Sequence, residues 1–158
     1  MSSMKKILLT IMVSLSAYLA NAQEYTIQSE GVDNSGNYAV RVVVSTKKKQ
    51  PKTAEDLVKR SAIHGVMFRG ITAAKGYSAQ PPIIKDPNVE QIKKDFFDAF
   101  WNEKAYNQYA AIVPSSLSVM KNKQTKMTES SALIIVAREN LLKYLEKSGI
   151  IKGFSNLW

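Results

Sequence analysis

The stretch PNVEQIKKDFFDAFWNEK, residues 87–104, constrains this chain more than any other. Val89, Ile92, Phe96 and Phe100 recur at helical spacing, and Phe97 and Trp101 broaden that stripe. Lys93, Lys94, Asp95 and Asp98 fall mostly outside it. Asp86 followed by Pro87 marks a helix start. A helix with so aromatic a face needs a large apolar surface to lie on, because aromatic side chains dominate burial energetics. Core packing therefore explains the stripe better than a ligand platform.

That surface is expected from two β-hairpins. EYTIQSEGV and YAVRVVVST flank the turn formers DNSGN, and Val40, Val42 and Val44 alternate with Arg41 and Val43. The period of two and the β-branched content favour strand. A second hairpin is expected from SSLSVMKN and KMTESSALIIVA around NKQT, with Leu133 to Val136 its most apolar part. Between the hairpins, Thr53-Ala54-Glu55-Asp56 has the capping-box pattern and predicts a helix from Ala54 to about Phe68. RENLLKYLEKSG predicts a last short helix, with Leu141, Leu142 and Leu145 inward and Gly149 as its stop. The order ββααββα gives an α+β fold, an antiparallel sheet of two hairpins with helices packed on one face. Residues 70–87 have no period and read as a long loop. Such loops are often functional, and Tyr77 is a candidate binding residue there.

The first residues, MSSMKKILLTIMVSLSAYLANAQ, have the order of a Sec signal. Lys5 and Lys6 precede an apolar run from Ile7 to Leu19, and Ala20-Asn21-Ala22 supplies a small-x-small cleavage site. That run is short for a bilayer span. The expectation is cleavage after Ala22 and residence in the periplasm or outside the cell. Residues 23–158 then form a single domain, large enough to fold on burial alone. With no cysteine anywhere, a lipoprotein anchor, disulfides, thiolate metal sites and cysteine nucleophiles are all excluded. The formal net charge is +9, and +7 once Lys5 and Lys6 leave with the signal. Such a balance attracts anionic envelope polymers, lipid headgroups or nucleic acid.

Few residues here have the chemistry of a reactive site. His64 is the single histidine, set in RSAIHGVMFRGI near the edge of the helix's apolar face. The expectation is a structural ring that donates one nitrogen to a backbone carbonyl. As the alternative, His64 is the acid–base group of a novel hydrolase or lyase, with loop 70–87 as lid and a carboxylate such as Asp56 beside it. One imidazole and no thiol argue against a metal, and GITAAKG lacks the order of a phosphate-binding loop, so neither cofactor nor nucleotide is expected. Lys47, Lys48, Lys49 and Lys52 form a basic patch. It is either a solvated linker that protects a strand edge or a contact for an anionic envelope polymer or a membrane surface. Nucleic acid is disfavoured, since the patch has no interleaved aromatic platform. The tail GIIKGFSNLW is unusually apolar. It is expected to dock on the Phe96–Phe100 helix, or else to use Phe154 and Trp158 as anchors for an envelope protein or a second copy.

Four phrases, AIHGVMFRGI, PPII, FFDAFWNEKAYNQY and LIIVARENLLKYLEKSGIIKGF, occur in this order over about residues 38–154. Together they resemble a family of small secreted proteins of Bacteroides-type bacteria whose function is unknown. Ala62, His64, Phe68 and Gly70 occupy its A-x-H-x-x-x-F-x-G pattern. Leu142, Tyr144, Leu145, Glu146, Gly149, Ile150 and Ile151 fall in its closing pattern. The resemblance implies a Gram-negative envelope setting and no reaction. The residues themselves favour a non-enzymatic envelope binding module.

Overall fold

The computed structural model describes residues 24–47 and 53–152. Residues 1–22, expected to be a signal segment, and Lys48, Lys49, Lys52, Phe154 and Trp158 lie outside them. Over these described residues the protein is α+β, with an antiparallel sheet of five strands and four α-helices. The strands are β1 (Glu24–Val32), β2 (Tyr38–Thr46), β3 (Ala110–Ile112), β4 (Ser118–Lys121) and β5 (Thr128–Val136). The helices are α1 (Ala54–His64), α2 (Val89–Ile92), α3 (Lys94–Asn102) and α4 (Arg138–Lys147).

Both hairpins form, and the sheet joins them through their second strands. β2 pairs with β5 along its whole length, from Tyr38 opposite Val136 to Thr46 opposite Thr128. The reason is visible in the pleat. Val40, Val42 and Val44 on β2 and Ala132, Ile134 and Val136 on β5 are fully buried, while their neighbours in sequence are only half-buried. Two strands with the same buried parity form one continuous apolar face when laid side by side. β1 continues that face with Ile27 and Ser29.

The far lane is divided. β3 pairs with the end of β5, from Ala110 opposite Val136, and β4 pairs with its start, from Ser118 opposite Ser131. The lane changes register between them. Ser116 fills the break: its hydroxyl donates to the Val113 carbonyl at 2.6 Å, stands 3.2 Å from the Leu133 carbonyl and accepts from the Leu133 N–H at 3.1 Å. A side chain thus satisfies a backbone group that the ladder would leave orphaned. Pattern reading misses β3 because three residues hold no period.

The helices follow the sequence closely at one end and depart from it at the other. α1 begins at Thr53, whose hydroxyl accepts from the Asp56 N–H at 3.2 Å. It ends at His64, and Gly65–Arg69 continue as a wider π turn closed by the Gly70 N–H on the Gly65 carbonyl. The single aromatic helix expected from residue 89 onward is broken. Lys93, at φ −103° and ψ 36°, separates α2 from α3. The break turns Ile92 outward, at 70% exposure, and leaves Phe97, Phe100 and Trp101 as the buried face. Phe96 and Val89 pack only partly against the core. α4 buries Leu141, Leu142 and Leu145 as expected, and Ile150 and Ile151 after it also pack on the core.

The loop over 70–87 is stapled down rather than loose. Ser29 donates to the Thr72 carbonyl and Thr72 to that of Ile27, which extends the sheet past β1. Ile71 and Gln80 exchange backbone bonds, Ile83 and Ile84 donate to the carbonyls of Val66 and Met67, and Ile71 and Ile84 are buried. A segment tied at both ends and in the middle is a poor lid.

Candidate functional site

His64 ends α1 where the helix passes β1. Gly65 allows that approach: a Cβ there would stand 2.9 Å from Ile27 Cδ1 and 3.3 Å from Tyr25 Cε2. The imidazole is thereby brought to Tyr25, whose Oη lies 2.6 Å from Nδ1. On its other side, Nε2 lies 3.4 Å from Glu90 Oε2, on α2. Glu90 also accepts from Trp101 Nε1 at 3.2 Å. One polar chain, Tyr25–His64–Glu90–Trp101, therefore ties together β1, α1, α2 and α3.

The hydrogens can be placed. For the neutral ring, the Glu90 carboxylate has none to give, so Nε2 donates to it and Nδ1 is left to accept from the Tyr25 hydroxyl. The expected bond from the ring to a backbone carbonyl is replaced by these two side-chain partners. Aromatic rings surround the imidazole, with Tyr25 perpendicular at 5.8 Å, Phe68 at 5.1 Å and Trp101 at 6.0 Å between centroids. Two guanidinium groups flank the cluster, Arg60 at 5.2 Å from the Trp101 ring centroid and Arg69 at 4.0 Å from that of Tyr25.

The electrostatics favour a brace over a reactive pair. Burial pushes the Tyr25 phenol far up, and the Glu90 charge adds to this against the opposing pull of Arg69. A phenol held neutral is a poor nucleophile. The hydrogen bond from His64 holds the Glu90 carboxyl below its ordinary 4.5, helped by Trp101 and Arg60 and opposed by burial. Because the folded state depresses this pKa, its stabilisation is present above about pH 4.5 and is lost as the pH falls through the folded value. The melting temperature is therefore expected to drop below that pH. Glu90→Gln is expected to flatten the acid side of the profile, as thermal melts of both proteins between pH 3 and 7 would show.

Asp56, the carboxylate expected beside His64 in the catalytic alternative, is elsewhere. It accepts from Thr53 Oγ1 at 3.1 Å, Lys104 Nζ at 3.0 Å and the Tyr106 hydroxyl at 3.5 Å, tying the start of α1 to the turn after α3. Burial pushes its carboxyl up, but Lys104, Thr53 and Tyr106 together hold it below the usual range. Glu90 takes the place by His64, and the E–x–x–x hydrophobic context around it carried no sign of this. Trp101, read only as core, supplies the indole donor.

The remaining candidates do not converge. Tyr77 is half-exposed and lies over the bulge at Gly31, where a Cβ would stand 3.1 Å from its ring. Lys47 is exposed just past the other end of β2. Nine strand residues separate those ends, about 26 Å at 3.3 Å per residue. Lys48, Lys49, Lys52, Phe154 and Trp158 belong to the segments outside the described residues. Among the described residues, no three His, Cys, Asp or Glu side chains group as metal ligands. No helix among them is long and apolar enough to cross a membrane. The chain matches no protein-family model, no curated protein and no solved structure.

Proposed function

We propose that this chain is a non-catalytic interaction module exported to the cell envelope. One observation carries the non-catalytic part: both nitrogens of the only imidazole are occupied, Nδ1 by a phenol that resists ionisation and Nε2 by a shared carboxylate. A general base needs a lone pair facing its substrate. Here that lone pair faces Tyr25, at the joint of a strand and three helices. The leader-like order of residues 1–22 and the resemblance to secreted Bacteroides-type proteins support the envelope setting. The basic balance supports an acidic partner, whether an envelope protein or an anionic polymer.

Turnover assays on the chain starting at Gln23, against peptidoglycan, glycans, phosphoesters and peptides, are expected to be blank. His64→Ala is expected to destabilise the fold by about 2 kcal/mol, because it leaves the Tyr25 hydroxyl unpaired and takes one of two donors from the Glu90 carboxylate. Turnover that disappears in a folded His64→Ala protein would reverse the reading.

A further inference from the structure

The pairing of β2, β5 and β4 gathers lysines that are far apart in sequence. Thr46 and Lys121 both lie opposite Thr128, one on each side of β5. Lys47 follows Thr46, while Lys121, Lys123 and Lys126 surround the turn that joins β4 to β5. All four therefore sit at one end of the sheet. All four are exposed, and among the described residues none has a carboxylate partner. Lys59, Lys75 and Lys104 elsewhere each have one. Lys48, Lys49 and Lys52 follow Lys47 in the chain and lie outside the described residues.

Apolar side chains stand beside these charges. Val119 and Met120 on β4 are 54% and 67% exposed, among the most exposed large apolar side chains of the described residues. Consecutive strand residues point to opposite faces, so β4 presents apolar surface on both sides of an edge that no other described strand pairs with. Its inward bonds are settled by the Asn122 N–H on the Met127 carbonyl, which continues the ladder. Alternation along an antiparallel pair then directs the backbone groups of Val119 and Lys121 outward.

We propose that this hairpin, residues 118–128, docks on a membrane surface rich in anionic phospholipid, with the lysines at the headgroups and Val119 and Met120 in the interface. The proposal deepens the envelope-module reading and rests on its export component. A soluble polyanion would use the lysines and leave Val119 and Met120 in water. A second copy paired edge to edge would bring two basic hairpins together. A membrane interface takes both kinds of side chain at once.

The test is co-sedimentation of the chain starting at Gln23 with phosphatidylglycerol–phosphatidylcholine vesicles, against pure phosphatidylcholine vesicles and soluble polyglutamate. This chain keeps every described element and removes the apolar leader, which would itself bind lipid. Binding is expected on the anionic vesicles only, weakening as salt is raised. The combined Lys121→Gln, Lys123→Gln and Lys126→Gln variant is expected to lose on the order of a hundredfold, about fivefold per lysine. The Val119→Ser, Met120→Ser variant is expected to lose about tenfold at every salt concentration. Melting curves confirm that these exposed substitutions leave the fold intact. No binding to anionic vesicles, or undiminished binding by the lysine variant, overturns the proposal. Equal binding to polyglutamate with no effect of the Val119 and Met120 changes also overturns it, in favour of a soluble acidic partner. The non-catalytic reading is tested separately by the turnover assays and survives a negative result here.

Discussion

Gly70→Ala is expected to destabilise the protein by about 3–5 kcal/mol, enough to lower the melting temperature by about 10 °C or more. Gly70 has φ 78° and ψ 177°, a backbone region that essentially only glycine enters. Space is lacking as well, since a Cβ would stand 2.6 Å from the Gln80 carbonyl oxygen and 3.1 Å from Pro82. Neither neighbour is the free end of a flexible side chain. The Gly70 N–H closes the π turn after His64, and Ile71 next to it exchanges bonds with Gln80. A shift here would therefore disturb both α1 and the stapled loop. Gly76→Ala is the control that separates the two causes. Gly76 has φ +82° but nothing within 4 Å of the added carbon, so only the backbone term applies, about 1–2 kcal/mol. Equal losses in the two variants would show that the Gln80 contact does not matter.

Phe97→Ala is expected to cost about 3–5 kcal/mol, and its measure is the midpoint of chemical unfolding at unchanged slope. Phe97 is 1% exposed and sits between two other rings, Phe68 at 5.3 Å and Phe96 at 5.0 Å, both edge-on. Through Phe96 the contacts continue to Phe100 and Tyr144, and through Phe68 to His64. The cavity would open in a lattice of rings held at preferred angles, and rigid rings close a void poorly. Phe97→Leu keeps most of the volume and is expected to cost less than half as much. A loss in the alanine variant below about 1 kcal/mol would mean that the α3 face is not core.

The parts of the fold that were legible in the sequence are those with a long, regular period. Val40, Val42 and Val44 announce β2, and Leu141, Leu142 and Leu145 announce the inner face of α4, because burial repeats at the period of the element. The α3 stripe was legible in kind, but extending it back to Ile92 was wrong. Lys93 breaks the helix, and no proline or glycine marks the place. The joining of the two hairpins through β2 and β5 was not legible, since pairing across 82 residues leaves no local trace. The same holds for the site. His64 was identifiable as the one imidazole, and its structural role was favoured from its place on the helix. Its partners Tyr25 and Glu90 lie 39 and 26 residues away, and distance along the chain gave no reason to choose Glu90 over Asp56. Loop 70–87 looked free because its order comes from isolated backbone bridges, which leave no hydrophobic period to read.

The β2–β5 ladder also sets the order of events as the chain is made. β1 and β2 come off the ribosome as a two-stranded ribbon, and a ribbon of that kind is marginal in water. Its apolar face finds its central neighbour only when Val136 has been added, about ninety residues and on the order of ten seconds after Thr46. α1, which packs on β2 and β5, is made inside the interval and has no finished sheet to lie on. Cooperative closure therefore waits for almost the whole chain. Until then Val40, Val42 and Val44, which the finished sheet buries completely, stay open to water.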